Sequence, residues 1–319
     1  MPAQPSLKLL KILKLKATLE TVTGLLISAG RTVGRIGGAD IEPVSVERVY
    51  KCNGDKPGSI RVPYIPGSSL KGRMRALLEV SLGLPLYSLD GKIWAHTPAL
   101  GARKALGGDE QKTFEEKYKL SVSEVVDITV KTELDRLFGF PALHLDDIVK
   151  EAPNRLNDLL SVLTPTPLLV DDFFPDEDYV CKKIYDEKGL VTFDDFLEEK
   201  NENRIDRITS AADPRTIVRV KPGVRFTGNI SLLVYDKNAN IVSDFLKLLV
   251  NGMKLLEATY LGASGSRGYG RVRFVEIKAT VLDPATMSET ELDSCKRCDS
   301  VDELASKIND LVSLVGISK

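Results

Sequence analysis

The stretch VPYIPGSSLKGRMRALLEVSLG, residues 62–83, is the most informative part of the sequence about the fold, because a strand, a tight turn and a helix follow one another in it. Its apolar start predicts a short strand, and Pro66–Gly67 predicts the turn. Ser68 or Ser69 stands where a helix N-cap is expected. The apolar residues that follow recur at helical spacing and predict one buried helix face: Leu70, Met74, Leu77 and Leu78.

Patterns elsewhere in the chain supply the other layers of the fold. Residues 7–20 alternate lysine with leucine and isoleucine, which is typical of a half-buried strand. Residues 216–236 predict two strands, 240–259 a helix and 268–282 a further strand. This order predicts an α+β fold with a ferredoxin-like or RRM-like sheet. Such sheets bind single-stranded RNA in many proteins, although a fold alone does not establish function.

Charge is segregated along the chain, although the 319 residues carry a net charge of only −1. Residues 1–85 and 204–273 each carry +7, and residues 86–203 between them carry −11. Two basic segments brought together by the fold would form a stripe that binds phosphates. The alternative is that the charges of each segment simply lie on solvent-exposed faces. We therefore expect an RRM-like, RNA-binding domain from 1–85 and 204–285, a mostly helical acidic insertion at 86–203, and a C-terminal helical tail at 286–319.

Composition excludes several classes of protein. The chain is 43% hydrophobic and 28% charged, which favours a folded domain over disorder. No run of about 18 apolar residues occurs, so no membrane span is expected. Four cysteines without a secretory signal indicate a reducing, cytoplasmic location. The two histidines, His96 and His144, are isolated and are expected to be structural or surface residues rather than catalytic ones.

The helix after Pro66–Gly67 carries Lys71, Arg73 and Arg75 in its first two turns. A helix N-terminus already attracts anions, so cations placed there are unfavourable unless an anion binds. The motif predicts a phosphate-binding site, and a solvent-exposed basic turn is the alternative.

The segment LGASGSRGYGRVRF, residues 261–274, is a glycine-rich loop that precedes a strand. Its position excludes a P-loop or a dinucleotide fingerprint, both of which open a helix. Gly265 and Gly268 allow close approach of a ligand, Arg267 suits a phosphate, and the ring of Tyr269 suits base stacking. An ordinary glycine-rich hairpin is equally compatible.

Residues 202–220, ENRIDRITSAADPRTIVRV, concentrate arginines around a turn that contains proline. Arg204, Arg207 and Arg215 are candidates for RNA binding, and an exposed hairpin is the alternative reading.

One acidic residue, Asp40, ends the glycine-rich run GGADIEPV, residues 37–44, and Arg31 and Arg35 precede it. Glycine and aspartate are common in turns. The same residues also fit a site where an acid meets a polyanion.

Residues that could bind zinc are scarce. Cys295 and Cys298 form one C-x-x-C, whereas a structural zinc site needs four ligands. We expect no zinc site.

Taken together, PYIPGSSLKGRMRALLE, RLFG, ENRIDRITSAADPR and GASGSRGYGRVRF, in this order, resemble the RAMP superfamily over residues 8–280. The segment IDRITSAADPR is similar to the Csm-type repeated backbone subunits of type III CRISPR complexes. The resemblance implies that copies of the chain, with other subunits, form a filament along a guide crRNA. It implies an RRM-like palm and a thumb hairpin at about 202–220 that flips out a nucleotide.

The resemblance also implies an activity. Asp40 would cleave target RNA beside each flipped nucleotide, one cut per subunit, with Mg²⁺ or another divalent metal. It would do so as a metal ligand or as acceptor of the 2′-OH proton, and Glu42 is a second candidate acid. Lys71, Arg73, Gly265, Arg267 and Gly268 would bind the guide. The alternatives are a non-catalytic backbone subunit, a guide-RNA processing nuclease of the same superfamily, and a generic binding domain.

Overall fold

The computed structural model describes residues 6–28, 42–52, 58–88, 92–96, 122–140, 149 and 153–316. Its strands are β1 (Leu9–Thr21), β2 (Ser45–Tyr50), β3 (Gly58–Pro63), β4 (Leu168–Val170), β5 (Phe174–Pro175), β6 (Leu197–Ile205), β7 (Ala212–Val220), β8 (Arg225–Tyr235), β9 (Val272–Asp283) and β10 (Ser288–Glu291). Its α-helices are α1 (Gly67–Ser81), α2 (Val122–Lys131), α3 (Glu133–Phe138), α4 (Leu156–Val162), α5 (Asp186–Lys188), α6 (Val242–Ala258), α7 (Val301–Ser306) and α8 (Ile308–Val315).

A central antiparallel sheet is built around β1, which pairs with β8 on one side and β9 on the other. The strand order is β10–β9–β1–β8–β4, and β5 pairs with another part of β8. The chain therefore has the mixed α+β fold that the sequence predicts.

The alternation in β1 sorts its side chains between two faces of the sheet. Leu13, Leu15 and Leu19 are buried in the main hydrophobic cluster, together with the apolar faces of α1 and α6. The two helices pack closely, and a Cβ added to Gly252 of α6 would lie 3.2 Å from Leu78 Cδ1 of α1. The helix predicted from residues 62–83 is thus fixed over the sheet.

Strands β6 and β7 form a separate two-stranded hairpin, in register from Leu197 opposite Val220 to Ile205 opposite Ala212. The predicted thumb at 202–220 lies within this longer hairpin. Asp206 shapes its tip, because its Oδ1 accepts hydrogen bonds from the backbone N–H groups of Ile208 and Thr209, at 3.0 and 2.7 Å. We call the hairpin from Leu197 to Val220 the thumb.

The expected cap of α1 was wrong. The helix begins at Gly67, and neither Ser68 nor Ser69 precedes it. Instead the Gly67 N–H donates to Oδ1 of Asp172 at 2.8 Å. A Cβ on Gly67 would lie 2.1 Å from the carbonyl oxygen of Val170, so the helix start presses directly on the end of β4.

The boundary of the predicted insertion at 86–203 also needs correction. β4 and β5 lie within that range but pair with β8, so the insertion contributes strands to the central sheet. Runs of three and two residues are too short to show a periodicity. The strand β2 was likewise not predicted from the sequence.

The C-terminal segment, expected as a helical tail at 286–319, begins with the strand β10, which extends the sheet beside β9. Helices α7 and α8 follow, and Leu304 and Leu311 are buried in the main core. This segment is an integral part of the domain, because its apolar side chains cover sheet and helix surface.

The four cysteines are paired as Cys52–Cys181 and Cys295–Cys298. This differs from the reduced thiols expected from the sequence. Across the described ranges, no helix is both long enough and apolar enough to span a membrane.

Candidate nucleic-acid interface

The start of α1 meets the glycine-rich loop at Tyr260. Arg73 donates from Nε to the carbonyl oxygen of Tyr260 at 3.0 Å, and its guanidinium carbon lies 4.1 Å from the centre of that ring. A Cβ on Gly265 would lie 2.0 Å from Cγ of Tyr260, so only glycine fits beneath the ring. The structure thus brings the predicted residues Arg73 and Gly265 together.

Lys71 lies beside the same helix start but points toward the sheet. Its Nζ donates to the carbonyl oxygen of Leu168 at 2.8 Å. Burial, with a smaller contribution from the charge of Arg75, lowers the pKa of Lys71 to about 8. Lys71 therefore adds positive charge near neutral pH, but its ammonium already has a partner within the protein.

The glycine loop depends on backbone conformations that favour glycine. Gly268 has φ +83°, no atom lies within 4 Å of where a Cβ would be, and the residue is exposed. Gly270 has φ +73°, and a Cβ there would lie 2.0 Å from the carbonyl oxygen of Leu261. Gly268 therefore leaves the loop open to a ligand, while Gly270 allows the loop to pack on the chain behind it.

The thumb contacts the glycine loop at its base. Lys200 donates from Nζ to the carbonyl oxygen of Arg267 at 3.3 Å. Glu202 accepts a hydrogen bond from the hydroxyl of Tyr269 at 2.8 Å. An open groove of about 560 Å³ lies between these elements, and the side chains that line it are Glu202, Asn203, Arg204, Ile205, Arg207, Arg215 and Arg267. All four arginines in this groove were predicted as RNA-binding residues.

The prediction for Tyr269 was wrong. Its side chain is fully buried, so it cannot stack on a base. Lys200 Nζ and the guanidinium carbon of Arg219 each lie 4.3 Å from the centre of its ring. Burial, followed by its hydrogen bond to Glu202, raises the pKa of Tyr269. Its role is to anchor the loop to the thumb.

The prediction for Arg75 was also wrong. Its guanidinium bonds within the protein, to Oε1 of Glu79 at 2.8 Å and to Oδ1 of Asp135 at 2.6 Å. It also donates to the carbonyl oxygens of Gly139 and His96. Partners within the protein hold the guanidinium of Arg75, so it is not available as a phosphate-binding group.

His96 is part of the same cluster, in the structural role expected of it. Its Nε2 lies 3.3 Å from Oδ2 of Asp135, and its Nδ1 lies 2.7 Å from the carbonyl oxygen of Pro85. Burial by itself would lower the pKa of His96, but the contacts with Asp135 and Pro85 outweigh it and raise that pKa. The other histidine, His144, lies outside the described residues.

Arg31, Arg35 and Asp40 lie outside the described residues as well. The residues on either side of that segment are described. Ser28 forms a β-bridge with Pro43, and Val44 donates to the carbonyl oxygen of Ile27 at 2.8 Å. Ala263 of the glycine loop donates to the carbonyl oxygen of Leu26 at 2.8 Å. The chain positions that flank residues 29–41 therefore lie together beside the glycine loop.

The second candidate acid, Glu42, is engaged by a cation. Its Oε2 lies 3.4 Å from Nη2 of Arg61. Arg61 in turn donates to the hydroxyl of Ser45 at 2.9 Å and lies over the ring of Phe193. This arrangement gives Glu42 a structural role between β3 and the start of β2.

A metal site is not formed by the described side chains. Within the ranges given above, no three or more His, Cys, Asp or Glu side chains are grouped so that they could hold a metal ion. These residues do not fit a divalent metal, and we assign no chemical step to one. The predicted metal ligand, Asp40, lies outside those ranges.

Comparison with known proteins identifies the family. The RAMP superfamily model matches residues 18–273, which is well over half of the chain. The chain belongs to the RAMP superfamily. Among RAMP proteins, it is 34% identical to the "CRISPR system Cms endoribonuclease Csm3" of Methanothermobacter thermautotrophicus, over 80% of this chain and 80% of that protein. It is 30% identical to the protein of the same name from Streptococcus thermophilus, over 87% of this chain and 95% of that protein.

A solved structure supports the fold of this RAMP chain. The crystal structure of Csm3 from Methanopyrus kandleri matches with a TM-score of 0.52 at 18% identity, covering 98% of this chain and 100% of that one. At this level of identity the match concerns the fold alone. The family assignment itself confirms the resemblance found from the sequence motifs.

Neither Tyr260 nor Glu202 of the candidate interface was predicted. Tyr260 joins Arg73 to the glycine loop, and Glu202 joins the thumb to it. Tyr260 directly precedes the glycine segment and gave no local signal. Glu202 pairs with Arg215 across the hairpin, and an antiparallel register centred on residues 206–211 would have indicated that pair.

Proposed function

We propose that this RAMP protein is a repeated backbone subunit of a type III CRISPR complex, which binds crRNA and cleaves complementary target RNA. The observation that carries the proposal is 34% identity, over four fifths of both chains, to a protein named as a CRISPR endoribonuclease. The convergence of the α1 start, the glycine loop and the thumb supports it. These three elements come from distant parts of the sequence, and the fold brings them together into one surface.

The palm, in this proposal, is a ferredoxin-like domain. Its elements in chain order are β1, α1, β4, β8, α6 and β9, which follow the strand–helix–strand–strand–helix–strand pattern. The sheet order β9–β1–β8–β4 supports the same assignment. The thumb, β6–β7, is inserted between β5 and β8.

The crRNA backbone, in this proposal, follows the arginine-lined groove between the thumb and the glycine loop. Arg204, Arg207, Arg215 and Arg267 would contact phosphates there, since guanidinium groups pair well with phosphate oxygens. Arg73 would act mainly through charge and by fixing the loop, and Lys71 mainly through charge, because both already have partners in the protein. Further copies of the chain and other subunits would continue the filament.

The tip of the thumb fits a role in positioning the RNA. The side chain of Ile208 is 93% exposed at the end of the hairpin, so this hydrophobic residue is not stabilised by packing within this chain. We propose that it wedges between nucleotides. A displaced nucleotide lets the ribose 2′-OH align with its neighbouring phosphorus, and alignment of this kind contributes much of the rate in intramolecular reactions.

Asp40 is the residue that we propose for catalysis. The 2′-oxygen would bond to phosphorus as the bond from phosphorus to the 5′-oxygen breaks, and the carboxylate would accept the 2′-OH proton. The leaving 5′-oxygen would take a proton from water, so the products are a 2′,3′-cyclic phosphate and a 5′-hydroxyl. Glu42, two residues further on, is held by Arg61 and is the weaker candidate. Dependence on Mg²⁺ or another divalent ion is a separate prediction, which cleavage assays with and without EDTA test.

The decisive experiment compares Asp40→Ala with Glu42→Gln in the assembled complex. Cleavage products of a complementary target are resolved on a sequencing gel, and co-purified crRNA is quantified. We expect Asp40→Ala to abolish the cuts and retain the crRNA, while Glu42→Gln still cuts. Full cutting by Asp40→Ala would overturn the assignment. Absence of cuts from the wild-type complex would identify a non-catalytic backbone subunit.

A further inference from the structure

Glu202 is a carboxylate in the middle of the groove that we assign to RNA, and the proposed function gives it no role. Its Oε2 accepts a hydrogen bond from Nη2 of Arg215 at 2.7 Å and lies 3.9 Å from Nη1 of Arg267. Its Oε1 accepts from the hydroxyl of Tyr269 at 2.8 Å and lies 3.6 Å from Nζ of Lys200. Both oxygens are therefore occupied by groups of this chain.

Exposure differs sharply between the acid and its cationic partners. The side chain of Glu202 is 13% exposed, whereas those of Arg215 and Arg267 are 50% and 53% exposed. The carboxylate thus lies behind the two guanidinium groups, which face the groove. The hydrogen bond from Tyr269, followed by that from Arg215, lowers the pKa of Glu202 to about 2. It is fully ionised at neutral pH.

Three segments meet at this one carboxylate. Glu202 is on β6, and Arg215 is its direct cross-strand neighbour on β7. Arg267 and Tyr269 belong to the glycine loop, and Tyr269 is buried. A single acidic side chain therefore contacts arginines from two different elements: it is hydrogen-bonded to Arg215 and lies within ion-pair distance of Arg267, whose Nη2 also donates to the hydroxyl of Ser264 at 2.8 Å.

A negative charge in a groove for RNA would by itself repel phosphates. Its presence is explained if the positions it gives to the arginines outweigh that repulsion. We propose that Glu202 is a positioning residue, which holds Arg215 and Arg267 in the geometry that binds the phosphodiester backbone of an RNA strand. This inference rests on the proposed function, because it takes RNA as the ligand.

The chain offers a matched control. Glu199 is on the same strand, three residues earlier, and its side chain is exposed. Glu202→Gln and Glu199→Gln make the same change in net charge. Simple electrostatics predicts that both variants bind RNA slightly more tightly than the wild type. A positioning role predicts instead that Glu202→Gln binds RNA more weakly than the wild type, while Glu199→Gln does not.

The experiment measures binding of the full-length chain to a fluorescent single-stranded RNA at pH 7.5 over a series of salt concentrations. We expect Glu202→Gln to bind about five- to tenfold more weakly and to show a shallower salt dependence, by about one counterion. Glu199→Gln should bind as tightly as the wild type or more tightly. In an Arg215→Gln, Arg267→Gln background, Glu202→Gln should have little further effect, because it acts through these two residues.

Other outcomes separate the two proposals. If the wild type binds RNA and Glu202→Gln behaves like Glu199→Gln, this inference fails and the proposed function stands. If the wild type has no salt-dependent affinity for RNA, both fail. Should Glu202→Gln lower the melting temperature, Tyr269→Phe provides the second test. It removes only the hydroxyl that holds Oε1, and we expect about twofold weaker binding; unchanged binding would count against the proposal.

Discussion

Arg75 donates from Nη2 to the carboxylate of Asp135 at 2.6 Å, and the side chain of Asp135 has no exposed surface. This bond ties α1 to α3, the short helix formed by the sequence ELDRLF. A charge buried to this degree is stable only when it is paired. The helix that carries part of the candidate interface is thus held in place by a largely buried ionic cluster.

Arg75→Ala should therefore act on stability. It leaves the Asp135 charge buried without its main partner, which costs about 3–5 kcal/mol in comparable cases. Urea unfolding followed by circular dichroism measures this. Arg271→Ala removes an exposed arginine and should change the free energy of unfolding by less than about 0.5 kcal/mol. Equal effects of the two substitutions would contradict the structural role of Arg75.

Lys71 should make RNA binding depend on pH. Its pKa of about 8 means that it loses its charge between roughly pH 7 and 9, and affinity for single-stranded RNA should fall about two- to fivefold over that range. Lys71→Arg keeps the charge and should flatten the profile. An identical decline in both proteins would show that another group titrates.

The same deprotonation has the opposite effect on stability. The unfolded chain keeps the Lys71 proton up to about its ordinary pKa of 10.5, whereas the folded chain releases it near 8. The unfolded state thus binds more protons between these values, and the contribution of this group to stability rises with pH. Melting temperatures of wild type and Lys71→Met, compared from pH 8 to 10.5, test the sign.

Ile208 should matter for cleavage and leave stability unchanged. We expect Ile208→Ser in the assembled complex to slow target cleavage about 10- to 100-fold, since a misplaced phosphate loses its alignment. The melting temperature should not change, because the side chain is 93% exposed. Met287→Ser, at an exposed hydrophobic position in the turn between β9 and β10, should alter neither property. Normal cleavage by Ile208→Ser would refute the wedge.

The bond between Cys52 and Cys181 links residues 129 positions apart. A crosslink that closes so long a loop restricts the unfolded chain, and its reduction should lower stability by about 2–4 kcal/mol. Unfolding with and without a reductant measures this. The double variant Cys52→Ser, Cys181→Ser retains the Cys295–Cys298 pair and should respond little to reductant. Four free thiols in the native, unreduced protein would contradict the pairing.

Elements with long periodic patterns were predictable from the sequence. The alternation of residues 7–20 predicted β1, and the apolar stripe of residues 70–78 predicted α1. The strands β4 and β5 were not predictable, because their three and two residues become strands only by pairing with β8. Local pattern does not contain that information.

The candidate site divides in the same way. The sequence identified the arginines of the thumb and the glycine loop, since clustered cations and glycines are visible locally. It could not distinguish candidate side chains that face solvent from those that are held inside the protein. Arg75 and Tyr269 were assigned to RNA, but Asp135 and Glu202, which are 60 and 67 positions away, turn both inward.

The central place of β1 has a consequence for synthesis of the chain. Glu20, near its end, lies opposite Arg225 of β8, 205 positions later, and the partners in β9 follow later still. During translation the half-apolar strand β1 therefore leaves the ribosome long before its partners β8 and β9, and its apolar face cannot pair with them for most of that time. Fragments that end before residue 225 should aggregate or recruit chaperones, and refolding of the whole chain should be slow.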